Sequence, residues 1–240
     1  SNFYKTLKRS RPTKYIEFPA AKDFIFLRNS RVRKVFVSDP VDFELTERLQ
    51  NACRGFDIEL VIKEGCSFIC ETDYLENALA DKKSLRMTPF YTSLRKSRDI
   101  LLDSDGKPAG GKWTFDTENR RPLPAKLTIP PLPTVKNTQD IRQAQQYVKS
   151  NFASNPGSVE DFFIPVNHSG ALSWLDNFLE NRLQRFGPYE DAISEDKAFV
   201  FHSVLSPAMN ISILQAEEVI KKTLSFSRKR KIPLNSLRSE

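Results

Sequence analysis

Three short segments combine residue types at a spacing suited to chemistry. In Phe186-Gly187-Pro188-Tyr189-Glu190-Asp191-Ala192 a helix is expected to end at a glycine, and Tyr189 follows in a turn. A phenol placed there reaches a ligand rather than the core, although a packing tyrosine is the plainer reading. In His202-Ser203-Val204-Leu205-Ser206-Pro207 an imidazole and two hydroxyls precede a proline that fits a helix start. Ser206 as N-cap with Pro207 at N1 explains that pattern structurally. Functionally, the same turn offers free N–H groups and a dipole end suited to phosphate. The third segment, Arg228-Lys229-Arg230-Lys231, is a basic run at an expected helix C-terminus. A solvated end that complements the helix dipole is its ordinary meaning, and a nucleic-acid patch is the sharper one.

Other chemical templates fail. The chain has no GxGxxG, GxxxxGK[ST], HExxH or GxSxG. Cys66 and Cys70 are spaced C-x-x-x-C, but the two histidines, His168 and His202, lie far downstream, so no metal site is expected and buried thiols are the better account. Asp103 and Asp105 beside Gly106 read as an acidic turn, because no ligand glutamate follows at calcium-loop spacing.

Composition narrows the class. The 240 residues carry 37 Lys+Arg against 30 Asp+Glu, a formal charge of +7, which permits a polyanionic partner without naming one. With 11% aromatics a disordered chain is excluded. No apolar stretch approaches the ~20 residues of a membrane-spanning helix. The start, SNFYKTLKRS, lacks a signal-type apolar core, and three cysteines are too few for a disulfide framework, so the cytoplasm is the expected compartment.

The elements that must position these segments are legible in outline. Thr13–Phe18 reads as a strand, Ala20–Asn29 as a helix, Lys34–Ser38 as a strand covered on both faces, and Phe43–Arg54 as a helix burying Leu45, Leu49 and Cys53. Asp57–Ile62 is a third strand. That alternation predicts a parallel sheet with crossover helices, an α/β domain. Phe3–Arg9 resembles the tail of a helix, which implies a further strand upstream. Lys82–Leu102 is expected to be helical in part, with Phe90, Leu94 and Ile100–Leu102 facing a core. From Met87 to Pro133 glycines and prolines dominate, and the Pro-rich Leu123–Thr134 is expected to act as a semi-rigid connector. Helices follow: one capped by Thr138, one capped by Ser169 with a stripe to Phe186 that Gly187 stops, and one over Ala216–Phe226.

Together these features resemble a known family. FHSVLSPAMNISIL (Phe201–Leu214) is similar to the TSxLSPxLxxG segment of photolyases and cryptochromes, and FGPYEDA (Phe186–Ala192) lies at the distance where photolyases carry a flavin-contacting tyrosine. PFYTSLRKSRDILLDSDGKPAGGKWTFDTENRRPLP (Pro89–Pro124) and IPLNSL (Ile232–Leu237) narrow the resemblance to the bacterial photolyase-related group. That group comprises iron–sulfur bacterial cryptochromes and prokaryotic (6-4) photolyases.

The resemblance implies an architecture: an α/β Rossmann-like antenna domain over residues 1–86 without its first strand, an extended connector over 87–137, and the beginning of an all-helical FAD-binding domain over 138–240. It implies FAD contacts at Tyr189, His202, Ser203, Leu205, Ser206 and Asn210. A 4Fe-4S cluster with ligands outside this chain, a ribityl lumazine antenna pigment and UV-damaged DNA as partner are implied too, for a monomer without membrane association. The implied activity is light-driven electron transfer from reduced FAD that repairs pyrimidine photoproducts, with the (6-4) type favoured. No residue here is implied as a catalytic donor. A cryptochrome-like photoreceptor without repair activity, and a stable fragment holding no cofactor, are the alternatives. Two departures are visible: Ser212 stands where the family usually has Gly, and Ala216 where Pro is common. The chain also leaves the family pattern after Leu237, at Arg238-Ser239-Glu240.

Overall fold

The computed structural model describes Leu27, Asn29 and residues 31–65, 67–80 and 86–238. The expected strand Thr13–Phe18, most of the helix Ala20–Asn29, the segment Phe3–Arg9 and Cys66 lie outside the described residues. Two compact units divide the chain between Thr72 and Asp73.

In the first unit, β1 (Lys34–Ser38) leads through α1 (Phe43–Gly55) to β2 (Glu59–Lys63), and the strands pair in parallel with Val35 opposite Leu60 and Phe36 opposite Val61. Asp42 caps α1 by accepting from the Leu45 N–H at 2.6 Å. Cys53 is 1% exposed and packs with Ile58, Val35, Leu49 and Leu60, and burial pushes its thiol pKa up. The parallel pairing agrees with the strand–helix–strand reading. The expectation that β1 is covered on both faces is corrected: Phe36 is 62% exposed, with the Lys34 and Lys63 ammonium groups 6.0 and 5.7 Å from its ring centre. A nearly continuous apolar strand therefore need not be buried twice when lysines flank the open ring.

The second unit is helical with long irregular stretches. α2 (Thr72–Leu79) begins at the boundary, and α3 (Met87–Ser97) buries Leu94 and Arg95. The Arg95 guanidinium lies 5.0 Å from the Trp113 ring centre and donates to the carbonyls of Ile100 and Leu101 at 3.1 and 2.7 Å. Asp103 accepts from the N–H groups of Asp105 and Lys107, so its carboxylate serves the expected acidic turn.

α4 (Gln139–Asn151) starts at its expected cap, Thr138, whose hydroxyl accepts from Ile141. α5 (His168–Asn181) is capped by Asn167 rather than by the expected Ser169, because the Asn167 carboxamide oxygen accepts from the Gly170 N–H at 2.8 Å. α6 (Leu183–Phe186) then runs into a short 3-10 turn, Gly187–Tyr189. After it come α7 (Ser206–Asn210), α8 (Ala216–Lys229) and α9 (Leu234–Arg238).

One core joins α5, α6, α7 and α8. Ala171, Trp174, Leu175, Phe178 and Leu179 of α5 pack with Leu183, Phe186, Leu205, Ala208, Leu214 and Val219, all at most 6% exposed. Burying such side chains contributes about 1.5–3 kcal/mol each for the large ones. That core fixes the turn between α6 and α7 from beneath.

The helix ends at Gly187 as expected, but not through a left-handed cap: its φ is −53°, and the chain continues as a 3-10 turn. Glycine is needed for space. A Cβ there would lie 2.5 Å from the Asn235 carbonyl carbon and 2.8 Å from its Cγ, and the Gly187 N–H donates to the Ser236 hydroxyl at 2.9 Å.

Among the described residues no helix is long and apolar enough to cross a membrane, and no three His, Cys, Asp or Glu side chains cluster as metal ligands.

Candidate functional site

The turn from Phe199 to Pro207 is held from below. Trp174, 2% exposed on α5, donates its indole N–H to the Ser203 carbonyl at 3.1 Å. Next to it Val204 adopts φ +55°, left-handed geometry that costs a β-branched residue roughly 1–3 kcal/mol. The core that packs on Val204 and buries Leu205 over-determines this conformation.

His202 is held from the side. Its Nε2 lies 2.7 Å from the Glu190 carbonyl oxygen. A carbonyl only accepts, so Nε2 carries the hydrogen and donates. Glu190 is fixed in turn by the connector. The Asn119 carboxamide N–H donates to Glu190 Oε2 at 3.1 Å, the Asp191 N–H donates to the Asn119 carbonyl at 3.2 Å, and the Arg121 N–H donates to the Pro188 carbonyl at 3.0 Å. Arg120 and Asp191 add an exposed ion pair at 3.1 Å.

These supports shape an open cavity of about 640 Å³. Phe186, Phe199, Val204, Leu205, Pro207 and Met209 form its apolar wall. Glu190, His202, Ser203 and Ser206 supply its polar groups. The structure thus brings four of the six expected site residues, His202, Ser203, Leu205 and Ser206, to one cavity. Tyr189 and Asn210 are not in its wall. The Tyr189 ring stacks on Phe201, with ring centres 5.5 Å apart at 27°, and Asn210 is exposed at the last residue of α7.

Ser206 departs from its expected structural role. Leu205 occupies the N-cap position, Ser206 is the first helical residue, and no side chain caps α7. The Ser206 hydroxyl is therefore free of capping work. With five residues α7 is also too short for its dipole to be the binding element, so recognition falls to the side chains. No hydrogen bond joins Ser203 or Ser206 to His202 among the described residues, and His202 Nε2 is committed to a carbonyl. The arrangement is suited to holding a ligand with an apolar ring and hydrogen-bonding edges; it does not set up a nucleophile with its base.

Sequence reasoning missed Asn119 and the wall residues Glu190 and Phe199. Asn119 sits in the GGKWTFDTENRRPLP block, but only its contact with Glu190 in the fold gives it a part. The basic run 228–231 is exposed at the end of α8, and the Arg230 guanidinium lies 5.4 Å from the Phe226 ring centre. Arg182, 2% exposed, donates to the Pro130 carbonyl at 2.6 Å and the Asn177 carboxamide oxygen at 3.0 Å, and burial lowers its pKa. This guanidinium ties the Pro-rich stretch to α5.

The family described as deoxyribodipyrimidine photo-lyase-related protein matches residues 4–164, more than half of the chain. The chain belongs to that family. Among curated relatives it is 28% identical over 204 residues to a (6-4) photolyase of Agrobacterium fabrum, a match covering 85% of this chain and 40% of the relative. It is also 33% identical over 97 residues to an uncharacterized protein, R852, of Acanthamoeba polyphaga mimivirus, covering 39% of this chain and 49% of that one. The chain therefore spans half or less of the length of these relatives. Among its described residues this photolyase-related protein combines helices with a small parallel two-stranded sheet.

Proposed function

We propose that this photolyase-related chain contributes to a flavoprotein in which light drives electron transfer from reduced FAD to a pyrimidine photoproduct in DNA, the (6-4) product in particular. One observation carries the reading. His202, Ser203, Leu205 and Ser206, the residues placed on FAD by resemblance, converge on a single cavity whose two hydroxyls are engaged by no other described residue. The donor set fits part of a flavin nucleotide: hydroxyls for phosphate or ribityl oxygens, an anchored imidazole, and phenyl rings against an aromatic plane.

Reduced FAD, when bound, supplies the electron on absorbing blue light. The chain's own residues bind and orient. Ser203 and Ser206 donate to ligand oxygens, His202 is held at a fixed angle by the Glu190 carbonyl, and Phe186 and Phe199 keep water from the apolar wall. In the same reading residues 1–86 are the Rossmann-like antenna domain that takes a ribityl lumazine, 87–137 the connector, and 138–240 the start of the helical FAD-binding domain. A 4Fe-4S cluster belongs to parts of the protein outside this chain, and UV-damaged DNA is the partner.

The test is a repair assay. The protein is supplied with FAD, reduced, mixed with an oligonucleotide carrying one (6-4) photoproduct, and illuminated with blue light. Light-dependent return of the undamaged bases supports the proposal. Normal flavin photoreduction without repair would turn the reading to a photoreceptor, and absence of flavin binding would turn it to a cofactor-free fragment.

A further inference from the structure

We infer that Asn119, in the connector, is a positioning residue of the cavity, acting through Glu190 on His202. Neither the family match nor the resemblance gives this residue a role, and the inference rests on the ligand-binding reading of the cavity above.

The physical chain is short. Asn119 is 7% exposed, so its carboxamide is removed from water and its orientation matters. Its side-chain N–H donates to Glu190 Oε2 at 3.1 Å, while its backbone carbonyl accepts from the next residue, Asp191, at 3.2 Å. Those two bonds grip Glu190 by its side chain and by the peptide that follows it. That same peptide carries the Glu190 carbonyl to which His202 Nε2 donates at 2.7 Å. Glu190 and His202 both line the cavity; Asn119 does not. A shift of the Glu190 peptide therefore moves the imidazole directly. The polarity of the pair is also fixed: an ionised carboxylate accepts only, so the Asn119 NH₂ group must face it, and reversing the amide would set two oxygens together.

This arrangement makes a specific replacement informative. Asn119→Asp keeps the size of the side chain but replaces a donor with a second carboxylate against Glu190. Glu190→Gln on its own gives up the charge. The two changes together restore a hydrogen bond with its direction reversed, the introduced glutamine amide donating to the introduced aspartate carboxylate. A loss that does not pass through the Asn119–Glu190 bond would be the same in either background.

The experiment measures Asn119→Asp in the wild-type and Glu190→Gln backgrounds, with two readouts. The first is FAD affinity by fluorescence titration. The expected loss is about tenfold or more in the wild-type background and no more than about twofold in the Glu190→Gln background. The second needs no ligand. The chain has two histidines, so imidazole ¹H–¹⁵N spectra resolve His202 from His168, which pairs with Glu218. The His202 ring resonances are expected to shift on Asn119→Asp alone and to return toward wild type in the double variant, with His168 unmoved. Equal effects in both backgrounds, or His202 resonances insensitive to Asn119→Asp, overturn the inference. If wild type binds no FAD yet the His202 coupling holds, the ligand reading fails and the positioning role stands.

Discussion

The Gly187 N–H donates to the Ser236 hydroxyl at 2.9 Å across 49 residues of sequence, and Ser236 is fully buried. The bond joins two of the segments that carry the family resemblance, FGPYEDA and IPLNSL. A third of these segments, through the ENRR stretch of the connector, joins the same turn by way of Asn119 and Arg121. Three short blocks far apart in sequence thus meet at the 3-10 turn beside the cavity.

Gly187→Ala follows from that contact. With φ at −53° alanine has no conformational objection, and its smaller unfolded-state entropy alone would favour it by about 0.4–1 kcal/mol. The new Cβ nevertheless meets the Asn235–Ser236 backbone, which cannot rotate away. Overpacking dominates, and the variant is expected to lose about 1–3 kcal/mol in chemical denaturation. Unchanged stability would show that α9 is not seated on this turn.

Ser212→Gly is expected to act in the opposite direction. The Ser212 N–H donates to the Met209 carbonyl and the Ile213 N–H to the Ala208 carbonyl, the paired bonds of a Schellman motif that ends α7. Ser212 takes the left-handed position at φ +57°, where glycine pays no Cβ penalty. The serine thus stands in the position that the photolyase resemblance assigns to glycine. Restoring glycine is expected to raise stability by about 0.5–1 kcal/mol, measured as a higher denaturation midpoint with unchanged slope.

Much of the fold was legible because local signals decide it. Thr138 caps where a cap was expected, and Lys34–Ser38 is a strand as its nearly continuous apolar run implies. Where readings failed or fell short, the decision lay in three-dimensional packing or exact backbone geometry rather than in residue pattern. Gly187 does stop the helix, but the need for glycine there is seen only once Asn235 lies against it; Ser206 looks like a cap until Leu205 takes that place, and Phe36 looks buried until its lysine neighbours are seen beside an open ring. In the site, the turn 202–206 was visible as a motif. Asn119 was not, because its partner Glu190 lies 71 positions away and no periodicity links them.

Trp174→Phe tests the support beneath the site. It keeps most of the buried ring but removes the donor to the Ser203 carbonyl, leaving a poorly satisfied acceptor. The expected cost is about 1–3 kcal/mol of stability, accompanied by weaker FAD retention because the turn relaxes. Loss of stability without any change in flavin affinity would separate Trp174 from the site.

Acid should loosen the junction of α5 and α8. Burial opposes ionisation of Glu218, but hydrogen bonds from His168 and the Gln215 N–H, with the nearby Lys222 charge, hold its pKa below the ordinary carboxylate value. A carboxyl with a depressed folded pKa stabilises fully above its unfolded value, near pH ~4.3, and that contribution is lost as pH falls through the lower folded value. Glu218→Gln should therefore flatten the acid limb of a stability–pH profile below about pH 4.5. An identical limb in wild type and variant would contradict the pairing.

The central claim, that the turn from His202 to Ser206 holds a flavin, is tested most directly by equilibrium titration of the protein with FAD, followed by flavin fluorescence. The account predicts saturable one-to-one binding that weakens about tenfold in Ser203→Ala and Ser206→Ala, the usual scale for one lost hydrogen bond to a charged group. Saturable binding of equal strength in wild type and both variants would contradict it.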